Sequence, residues 1–248
     1  MSQYDFSGRT LVLTGAAGGI GQAVARRFRD AGANLCLIDV DAAALDGLAA
    51  ALPRASGTVL TLALDLSDPA AADTAAARIA QACAGVDFLV PAAGIYLAEP
   101  FSEMTDEQWR RTLAVNLDGV FYLTRRLLPL LNPGSAIVNV SSMAAHRGAF
   151  CNAHYSASKG ALLSFTRSLA RELGPRTRVN AVSPGIIETP MTQELLKTRA
   201  DSSRQESMLK RLGRADEVAA AIAFLCSDDA SFITAEVLHV NGGLYVSG

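Results

Sequence analysis

The pair Tyr155 and Lys159 offers the clearest candidate chemistry in the sequence. Residues one helical turn apart project from the same face of a helix, so the ammonium of Lys159 is expected to lie beside the phenol of Tyr155. A nearby positive charge favours the phenolate and lowers a pKa that is about 10 for an isolated tyrosine. Such a tyrosine can exchange a proton near neutral pH. The alternative is a packing tyrosine beside a solvated lysine, which is a common arrangement on helices.

Ser142 adds a hydroxyl to this pair. It ends a predicted strand, and a glycine-containing loop separates it from the helix that carries Tyr155. That loop can fold the serine back beside the phenol. The sequence therefore predicts a proton-transfer site built from Ser142, Tyr155 and Lys159.

A glycine-rich segment, Thr14 to Gly21, follows the first predicted strand and opens the first helix. Glycines in this position permit a tight turn and bring backbone N–H groups and a helix N-terminus close to a pyrophosphate. Its spacing differs from the usual G-x-G-x-x-G, and an ordinary glycine turn is the alternative. We interpret the segment as a dinucleotide-binding loop.

Two aspartates follow the next two strands. Asp39 is placed to accept hydrogen bonds from the adenosine ribose, and its carboxylate repels a 2′-phosphate. Neither Ala16 nor Ala17 supplies a cation for that phosphate, so NAD(H) is favoured over NADP(H). Asp65 and Leu66 are expected to contact the adenine, although an aspartate at a strand end is often only a turn former.

Short apolar runs alternate with longer amphipathic segments along the chain, a pattern typical of parallel strands joined by crossover helices. The apolar residues of each run are consecutive, as expected when helices cover both faces of the sheet. The predicted strands are Thr10–Leu13, Asn34–Ile38, Thr58–Ala63, Val86–Val90, Ala136–Val140, Arg178–Val182 and Val237–Val240. The predicted helices are Ile20–Ala31, Ala42–Leu52, Pro69–Ala84, Asp106–Leu131, Ala153–Leu173 and Ala215–Cys226.

This pattern predicts an α/β protein with a doubly wound Rossmann fold, in which a sheet of about seven parallel strands carries helices on both faces. No linker or repeat divides the chain, so residues 1–248 are expected to form a single domain. One polar interruption, residues 186–212, follows the sixth strand. Because ligands bind at the carboxyl ends of the strands in such folds, this segment is predicted to be a substrate lid.

Composition excludes several classes of protein. Half of the 248 residues are hydrophobic and 19% are charged, which suffices for one large core. A net charge of -2 provides no field for nucleic acid, and neither a signal peptide nor a membrane span is apparent, so we expect a cytoplasmic protein. Four scattered cysteines without a CxxC spacing are interpreted as reduced and structural: Cys36, Cys83, Cys151 and Cys226.

Three histidines lack the spacing of metal ligands, so no metal site is predicted. His154 adjoins Tyr155, and a neighbour on a helix points roughly 100° away. It is therefore interpreted as a surface or interface residue. His146, in the loop between Ser142 and Tyr155, is interpreted either as a contact for a polar substrate group or as a solvent-exposed loop histidine.

Taken jointly, these motifs resemble the short-chain dehydrogenases/reductases over essentially the whole chain. The resemblance rests on the order and separation of the glycine motif, Asn116, Ser142, Tyr155 with Lys159, and Pro184-Gly185. It implies that Tyr155 is the general acid/base, that Ser142 hydrogen-bonds the substrate oxygen, and that Asn116 supports a water-linked proton path to Lys159.

The resemblance also implies a set of cofactor-binding residues. Lys159 would bind the nicotinamide ribose, and the Ile187 backbone and Thr189 hydroxyl would hold the carboxamide. The full expected set is Gly15, Gly19, Ile20, Gly21, Asp39, Asp65, Leu66, Gly94, Tyr155, Lys159, Pro184, Gly185, Ile187 and Thr189.

The sequence departs from the family pattern in two places. Pro91-Ala92 stands where the family commonly has two asparagines, and Asn241 stands where aspartate is more usual. Because Ala93 and Gly94 still permit close approach of a cofactor, we expect altered local hydrogen bonding rather than lost binding.

Tyr96, His146 and Asn152 are the expected substrate contacts, together with residues 186–212. This moderately polar set favours a small-molecule secondary alcohol or ketone such as a polyol, sugar or hydroxy acid. Arg147 is either a site for an anionic substrate or a solvated surface arginine. The family also implies a homotetramer, for which the long alanine-rich helices 106–131 and 153–173 offer apolar surface.

Two alternatives remain open. One is an NADPH-dependent 3-oxoacyl-thioester (acyl-carrier-protein) reductase, against which Asp39 argues. The other is a catalytically silent dinucleotide-binding scaffold or sensor, because a fold does not imply turnover. The intact set of Asn116, Ser142, Tyr155 and Lys159 disfavours this second alternative.

Overall fold

The computed structural model describes residues 4–246, apart from the side chains of residues 198 and 199. Its sheet contains seven strands, and every neighbouring pair is parallel. The strands are β1 (Thr10–Thr14), β2 (Asn34–Asp39), β3 (Val59–Ala63), β4 (Val86–Pro91), β5 (Leu131–Val140), β6 (Thr177–Pro184) and β7 (Val237–Val240). The predicted doubly wound α/β fold is therefore confirmed.

The strand order is β3-β2-β1-β4-β5-β6-β7. The chain moves from β1 to one edge of the sheet, returns to the centre, and then fills the other side. The direction reverses between β1 and β4, and a crevice opens beyond the carboxyl ends of strands at such a reversal. The residues that follow β1, β2, β4 and β5 are thereby brought to one edge of the sheet.

The helices connect successive strands. They are α1 (Gly19–Asp30), α2 (Ala42–Ala51), α3 (Pro69–Ala82), α4 (Asp106–Leu113), α5 (Gly119–Leu127), α6 (Ala144–Arg147), α7 (Ala153–Leu173), α8 (Gln193–Glu206) and α9 (Ala215–Cys226). Several begin as the sequence predicts: Asp68 caps α3 ahead of Pro69, and Thr105 forms a capping box with Gln108 at α4. Within the described part of the chain, no helix is both long and apolar enough to span a bilayer.

Two hydrophobic layers sandwich the sheet. Helices α1, α2 and α9 pack on one face, where the rings of Phe6, Phe28 and Phe88 lie with centroids 4.8 to 5.5 Å apart. Helices α3, α5 and α7 contribute residues to the layer on the other face. With both faces covered, the strands carry consecutive buried apolar residues, which explains the runs seen in the sequence.

The single helix predicted over Asp106–Leu131 is wrong. The chain forms α4, a π-helical turn at Ala114–Asp118, α5 and a 3-10 turn at Leu128–Leu130, after which β5 begins at Leu131. The π turn inserts one residue into the helical repeat and is found frequently at functional sites. Here it carries the fully buried Asn116.

Residues 186–212 contain more regular structure than the sequence indicates. They include a 3-10 turn at Pro190–Thr192 and the whole of α8. The start and the end of the segment lie side by side. Glu188 N donates to Gly213 O (2.9 Å), and Gly213 N donates to Ile186 O (3.0 Å). The two ends of the segment are thus hydrogen-bonded to each other.

Candidate active site

The predicted catalytic side chains come from the end of β5 and the first two turns of α7. Ser142 follows β5, and its hydroxyl accepts a hydrogen bond from Ala144 N (3.1 Å) and contacts the phenol of Tyr155. Tyr155 is only 9% exposed. The ring of Tyr96 meets the Tyr155 ring edge-on, with centroids 4.8 Å apart. The loop between Ser142 and Tyr155 thus brings the two hydroxyls together as the sequence predicts.

Lys159 lies under the tyrosine. Its Nζ is 5.9 Å from the centroid of the Tyr155 ring and donates a hydrogen bond to Val140 O (2.9 Å). Its backbone carbonyl accepts a bond from Ser141 Oγ (2.8 Å). The lysine is therefore held against the end of β5 from both its main chain and its side chain.

Burial has the largest influence on the pKa values of Tyr155 and Lys159. It raises the pKa of Tyr155 to about 12, with the Ser142 hydrogen bond lowering it and the Tyr96 phenol raising it further. Burial lowers the pKa of Lys159 to about 8. In the free protein the pKa of Tyr155 is therefore shifted upward, opposite to the direction expected from the helical spacing, because the enclosed site desolvates the phenolate.

Asn116 ties the strand end to the catalytic helix. Its Oδ1 accepts from Ile95 N (2.8 Å), and its Nδ2 donates to Ile95 O (3.1 Å) and Ser158 Oγ (3.2 Å). Ser158 Oγ in turn donates to Tyr155 O (2.7 Å). A Cβ on Gly94 would lie 3.1 Å from Asn116 Oδ1 and 3.4 Å from Lys159 Nζ, so both polar groups converge on this glycine.

A cavity of about 520 Å³ runs along the glycine loop past the carboxyl ends of β2, β3 and β4. Gly15 has φ +63°, and a Cβ there would lie 2.7 Å from the backbone of Ala93, so the turn requires glycine. Gly18 precedes α1 at the N-cap position and provides no side-chain cap, which leaves the backbone N–H groups of the first turn open to an anion. The cavity is lined by Thr14, Gly15, Ala17, Gly18, Ile38, Asp39, Val40, Asp41, Ala44, Leu64, Asp65, Leu66, Ser67, Ala92, Ala93, Gly94, Ile95, Arg111, Ala114, Val115 and Met191. These features fit a dinucleotide.

The Asp39 carboxylate is fixed at the end of β2. One oxygen accepts from Ala17 N (2.9 Å) and the other from Asp41 N (3.2 Å). The carboxylate therefore both braces the glycine loop and lines the cavity. Arg111, on α4, also lines this cavity and was not singled out from the sequence.

The turn after β4, where Pro91-Ala92 stand in place of two asparagines, is held through its own backbone N–H groups. Thr14 Oγ1 accepts hydrogen bonds from Ala92 N and Ala93 N, both at 3.1 Å. Pro91 closes the strand opposite Thr14. The turn is therefore anchored to β1 without the amide side chains common in the family. At the end of β7, Asn241 accepts from Gly243 N and donates to Tyr245 O, both at 2.9 Å.

The residues expected to hold the nicotinamide follow β6. Gly185 N donates to Val240 O (3.0 Å), and Ile187 is buried. Thr189 lies on the glycine loop, since a Cβ on Gly19 would be 2.6 Å from its Cγ2. The start of residues 186–212 thus packs on the loop that opens α1.

A second cavity, of about 690 Å³, opens over Ser142 and Tyr155. Tyr96 and Asn152 line it as predicted, and Met191 lines both cavities. It is lined by Tyr96, Ala98, Ser142, Met143, Ala144, Arg147, Gly148, Ala149, Phe150, Cys151, Asn152, Tyr155, Gly185, Ile186, Met191, Thr192, Glu194, Leu195 and Glu206. Of these, Arg147 lies 4.0 Å from Glu206 of α8, a contact that joins α6 to the segment over the cavity.

His146 does not fit either of its interpretations. It belongs to α6, and its ring packs against Tyr245 and His239, each with a centroid separation of 4.8 Å. It is half-buried and does not line the substrate cavity. The neighbouring Arg147 faces the cavity instead, because adjacent residues of a helix point in different directions.

The interpretation of His154 as a surface or interface residue is wrong. Its side chain is fully buried, and its Nε2 lies 2.6 Å from Glu99 Oε2. Its Nδ1 accepts a hydrogen bond from the backbone N–H of Tyr155 (2.9 Å). The chain after β4 folds over this side of α7, which the helical position of His154 alone does not reveal.

Comparisons with known proteins agree with this geometry. A family model described as enoyl-(acyl carrier protein) reductase matches residues 15–245. The chain belongs to the short-chain dehydrogenase/reductase family. It is an oxidoreductase of a family that acts on CH–OH groups and binds nicotinamide dinucleotides.

Several relatives resemble the chain over nearly its whole length. Meso-2,3-butanediol dehydrogenase of Serratia marcescens is 36% identical, covering 98% of this chain and 96% of its own. The 3-oxoacyl-[acyl-carrier-protein] reductase of Escherichia coli is 35% identical, with coverages of 98% and 99%. A crystal structure described as a glucose/ribitol dehydrogenase of this family, from Brucella melitensis, has 55% identity, a TM-score of 0.96 and coverages of 98% and 99%.

Proposed function

We propose that this protein interconverts a secondary alcohol and a ketone with NAD(H), using Tyr155 as its general acid/base. The observation that carries the proposal is the position of Tyr155 and Ser142 in the wall of the substrate cavity, with Lys159 beneath the tyrosine. The dinucleotide cavity reaches the same place, because Gly94 lines it and adjoins Lys159 Nζ.

Each of these residues has a distinct task. Ser142 donates a hydrogen bond to the substrate oxygen and orients it toward Tyr155, which gives or receives the oxygen-bound proton. Bound nicotinamide supplies or accepts the hydride at the carbon. Lys159 binds the ribose and, with Asn116, supports the path by which the proton reaches solvent. Residues 186–212 cover the substrate and exclude water.

The preference for NAD(H) is supported by Asp39. Its carboxylate lines the dinucleotide cavity at the end of β2, held by two backbone N–H groups that fix its orientation. A 2′-phosphate placed against a fixed carboxylate meets like-charge repulsion, whereas the hydroxyls of an NAD ribose are good donors to it. In the proposed complex Asp65 and Leu66 flank the adenine.

The substrate is proposed to be a polyol, a sugar or a hydroxy acid. Tyr96, Asn152 and Ser142 give the cavity polar groups among apolar walls. The names of two relatives support a small oxygenated substrate. One is the butanediol dehydrogenase. The other is a 2-dehydro-3-deoxy-L-rhamnonate dehydrogenase (NAD(+)) of Sphingomonas, which is 36% identical to this chain over 96% of each chain. We further propose a homotetramer located in the cytoplasm.

A direct test follows the absorbance of reduced nicotinamide with a panel of polyols, hydroxy acids and ketones. We expect turnover with NAD(H), and a fall in kcat of about 10² to 10⁴ for Tyr155→Phe, which removes the exchangeable proton. The variant should still bind the dinucleotide in a fluorescence titration. Unchanged kcat in Tyr155→Phe would remove this residue from the mechanism.

The principal rival is an NADPH-dependent 3-oxoacyl-thioester reductase. It is favoured by the 35% identity to such reductases and by Arg111, a cation in the wall of the dinucleotide cavity. Parallel titrations with the two coenzymes separate the proposals. A lower Kd for NADPH than for NADH would overturn the NAD(H) proposal and favour the rival, and Asp39→Ser should relax the discrimination if Asp39 sets it.

A further inference from the structure

The side chains of Glu99 and His154 form a buried contact beside the catalytic tyrosine. His154 has no exposed surface, and the Glu99 side chain is 16% exposed. Their Oε2 and Nε2 atoms are 2.6 Å apart. Neither side chain lines the substrate cavity, so the contact serves something other than direct recognition of substrate.

The hydrogen bonds define which nitrogen of His154 carries a proton. Nδ1 accepts the backbone N–H of Tyr155 at 2.9 Å and therefore carries none. Nε2 therefore carries the proton and donates a hydrogen bond to Glu99 Oε2. Since Asn152 makes no side-chain cap at the start of α7, the imidazole satisfies an N–H that would otherwise lack a partner in the first turn.

The other end of the contact belongs to the segment that follows β4. Glu99 N donates to Cys151 O (2.7 Å), which provides a second link between this segment and the entry to α7. The same segment carries Tyr96, whose ring meets Tyr155 edge-on. Both tyrosines line the substrate cavity. The segment and the helix thus form two walls of one site.

We propose that Glu99 and His154 are a positioning pair, which fixes the backbone of Tyr155 and holds Tyr96 against its ring. The pair acts through Tyr155 and Tyr96 and touches no reacting atom. The inference rests on the proposed role of Tyr155. A shift of about 1 Å at an acid/base residue can lower a rate by roughly 100-fold, so a link at the adjacent backbone is well placed to affect kcat.

Two single variants and one double variant test the pair. Glu99→Ala removes the acceptor, and His154→Asn keeps an acceptor near Tyr155 N but is too short to reach Glu99. We expect each to lower kcat about tenfold, and the double variant to be no slower than either, because both break the same link. The Kd for the dinucleotide should stay within about twofold of the unmodified protein, since the cavity that holds it is untouched.

Two further variants separate positioning from general stability. Glu99→Gln retains an oxygen that accepts from Nε2, so its kcat should stay within about twofold. Glu103→Ala, at an exposed glutamate of the same segment, should have no effect. Amide hydrogen exchange provides a readout independent of turnover: residues 95–99 and Tyr155 should exchange faster in Glu99→Ala and unchanged in Glu99→Gln.

The outcomes distinguish this inference from the proposed function. If the unmodified protein turns over substrate and Glu99→Ala retains its kcat, the positioning pair is overturned. The same holds if Glu99→Gln loses as much kcat as Glu99→Ala, because the hydrogen bond would then not be the essential link. Absence of turnover in the unmodified protein refutes the proposed function instead. In that case faster exchange at Tyr155 in Glu99→Ala supports the link, and unchanged exchange overturns it.

Discussion

Burial places a free-energy cost on the charged form of Lys159. Its ammonium is enclosed at the end of β5 with one backbone carbonyl as acceptor, and its pKa falls from 10.5 to about 8. The unfolded chain therefore binds this proton more tightly than the folded protein does. Folded stability is reduced in full below pH 8 and recovers between pH 8 and 10.5 as the folded lysine releases its proton. The raised pKa of Tyr155 has the opposite slope, since stability falls between pH 10 and 12.

Lys159→Met should therefore stabilise the protein while abolishing turnover. Removing the buried charge is expected to raise the free energy of unfolding at pH 7 by about 1 to 2 kcal/mol. The rise in stability between pH 8 and 10.5 should also disappear. Urea unfolding at pH 7 and pH 9.5 measures both effects.

The matched control is Lys197→Met, because this lysine of α8 is 67% exposed and pairs with the exposed Glu194. It should leave stability within about 0.5 kcal/mol at either pH. A Lys159→Met protein that unfolds more easily at pH 7 would mean that the bond to Val140 outweighs the cost of burying the charge.

For individual residues, the sequence predicts the placement of a side chain when its partners are near in the chain or belong to a recognisable motif. Tyr155 and Lys159 share one helical face, and Ser142 follows a strand, so their meeting is predictable. His154 is different, because its burial depends on Glu99, which is distant in the chain and has no characteristic spacing from it. The pKa of Tyr155 is likewise set by enclosure, which spacing alone does not give.

At the scale of elements, the turn between β1 and α1 has the least tolerance for change. Gly15→Ala would place a methyl 2.7 Å from Ala93 in a backbone region with φ +63°. We expect a loss of stability of about 1 to 3 kcal/mol and at least a tenfold rise in the Kd for the dinucleotide, because the loop must move away from Ala93. Thermal melting and a fluorescence titration measure the two effects.

Gly47→Ala is the matched control for that substitution. Gly47 lies within α2, and a Cβ there meets nothing within 4 Å. Alanine should stabilise the helix by about 0.5 to 1 kcal/mol and leave the Kd unchanged. If Gly15→Ala binds the dinucleotide as tightly as Gly47→Ala does, the close approach to Ala93 is not needed for binding.

Hydrophobic periodicity does not predict every interruption of a helix. The apolar pattern of residues 106–131 is that of a helix throughout, yet Ala114–Asp118 forms a π turn. The turn accompanies the bonds that Asn116 makes to Ile95 and Ser158, and these partners lie in other elements. A polar helix can be missed altogether. Most described residues of α8 are exposed, so its sequence shows no clear apolar stripe and does not predict a helix.

For the molecule as a whole, the alternation of apolar runs and amphipathic segments is enough to predict the sheet. All seven strands occur at the predicted positions, and the central strands β1 and β4 carry the consecutive buried apolar residues that coverage on both faces requires. The alternation does not predict which side chains remain exposed once the chain has folded. The rings of Trp109 and Phe121, on α4 and α5, are 37% and 44% exposed in the single chain.

These two rings belong to the helices on which we propose that the homotetramer assembles. Light scattering at micromolar concentration should give four times the mass of one chain. Phe121→Glu should yield a smaller species, because an unpaired carboxylate in an apolar interface costs several kcal/mol. Phe101→Glu, at a more exposed ring outside the helices, serves as the control and should remain tetrameric. A monomeric unmodified protein would refute the assembly, and a tetrameric Phe121→Glu protein would place its interface on another face.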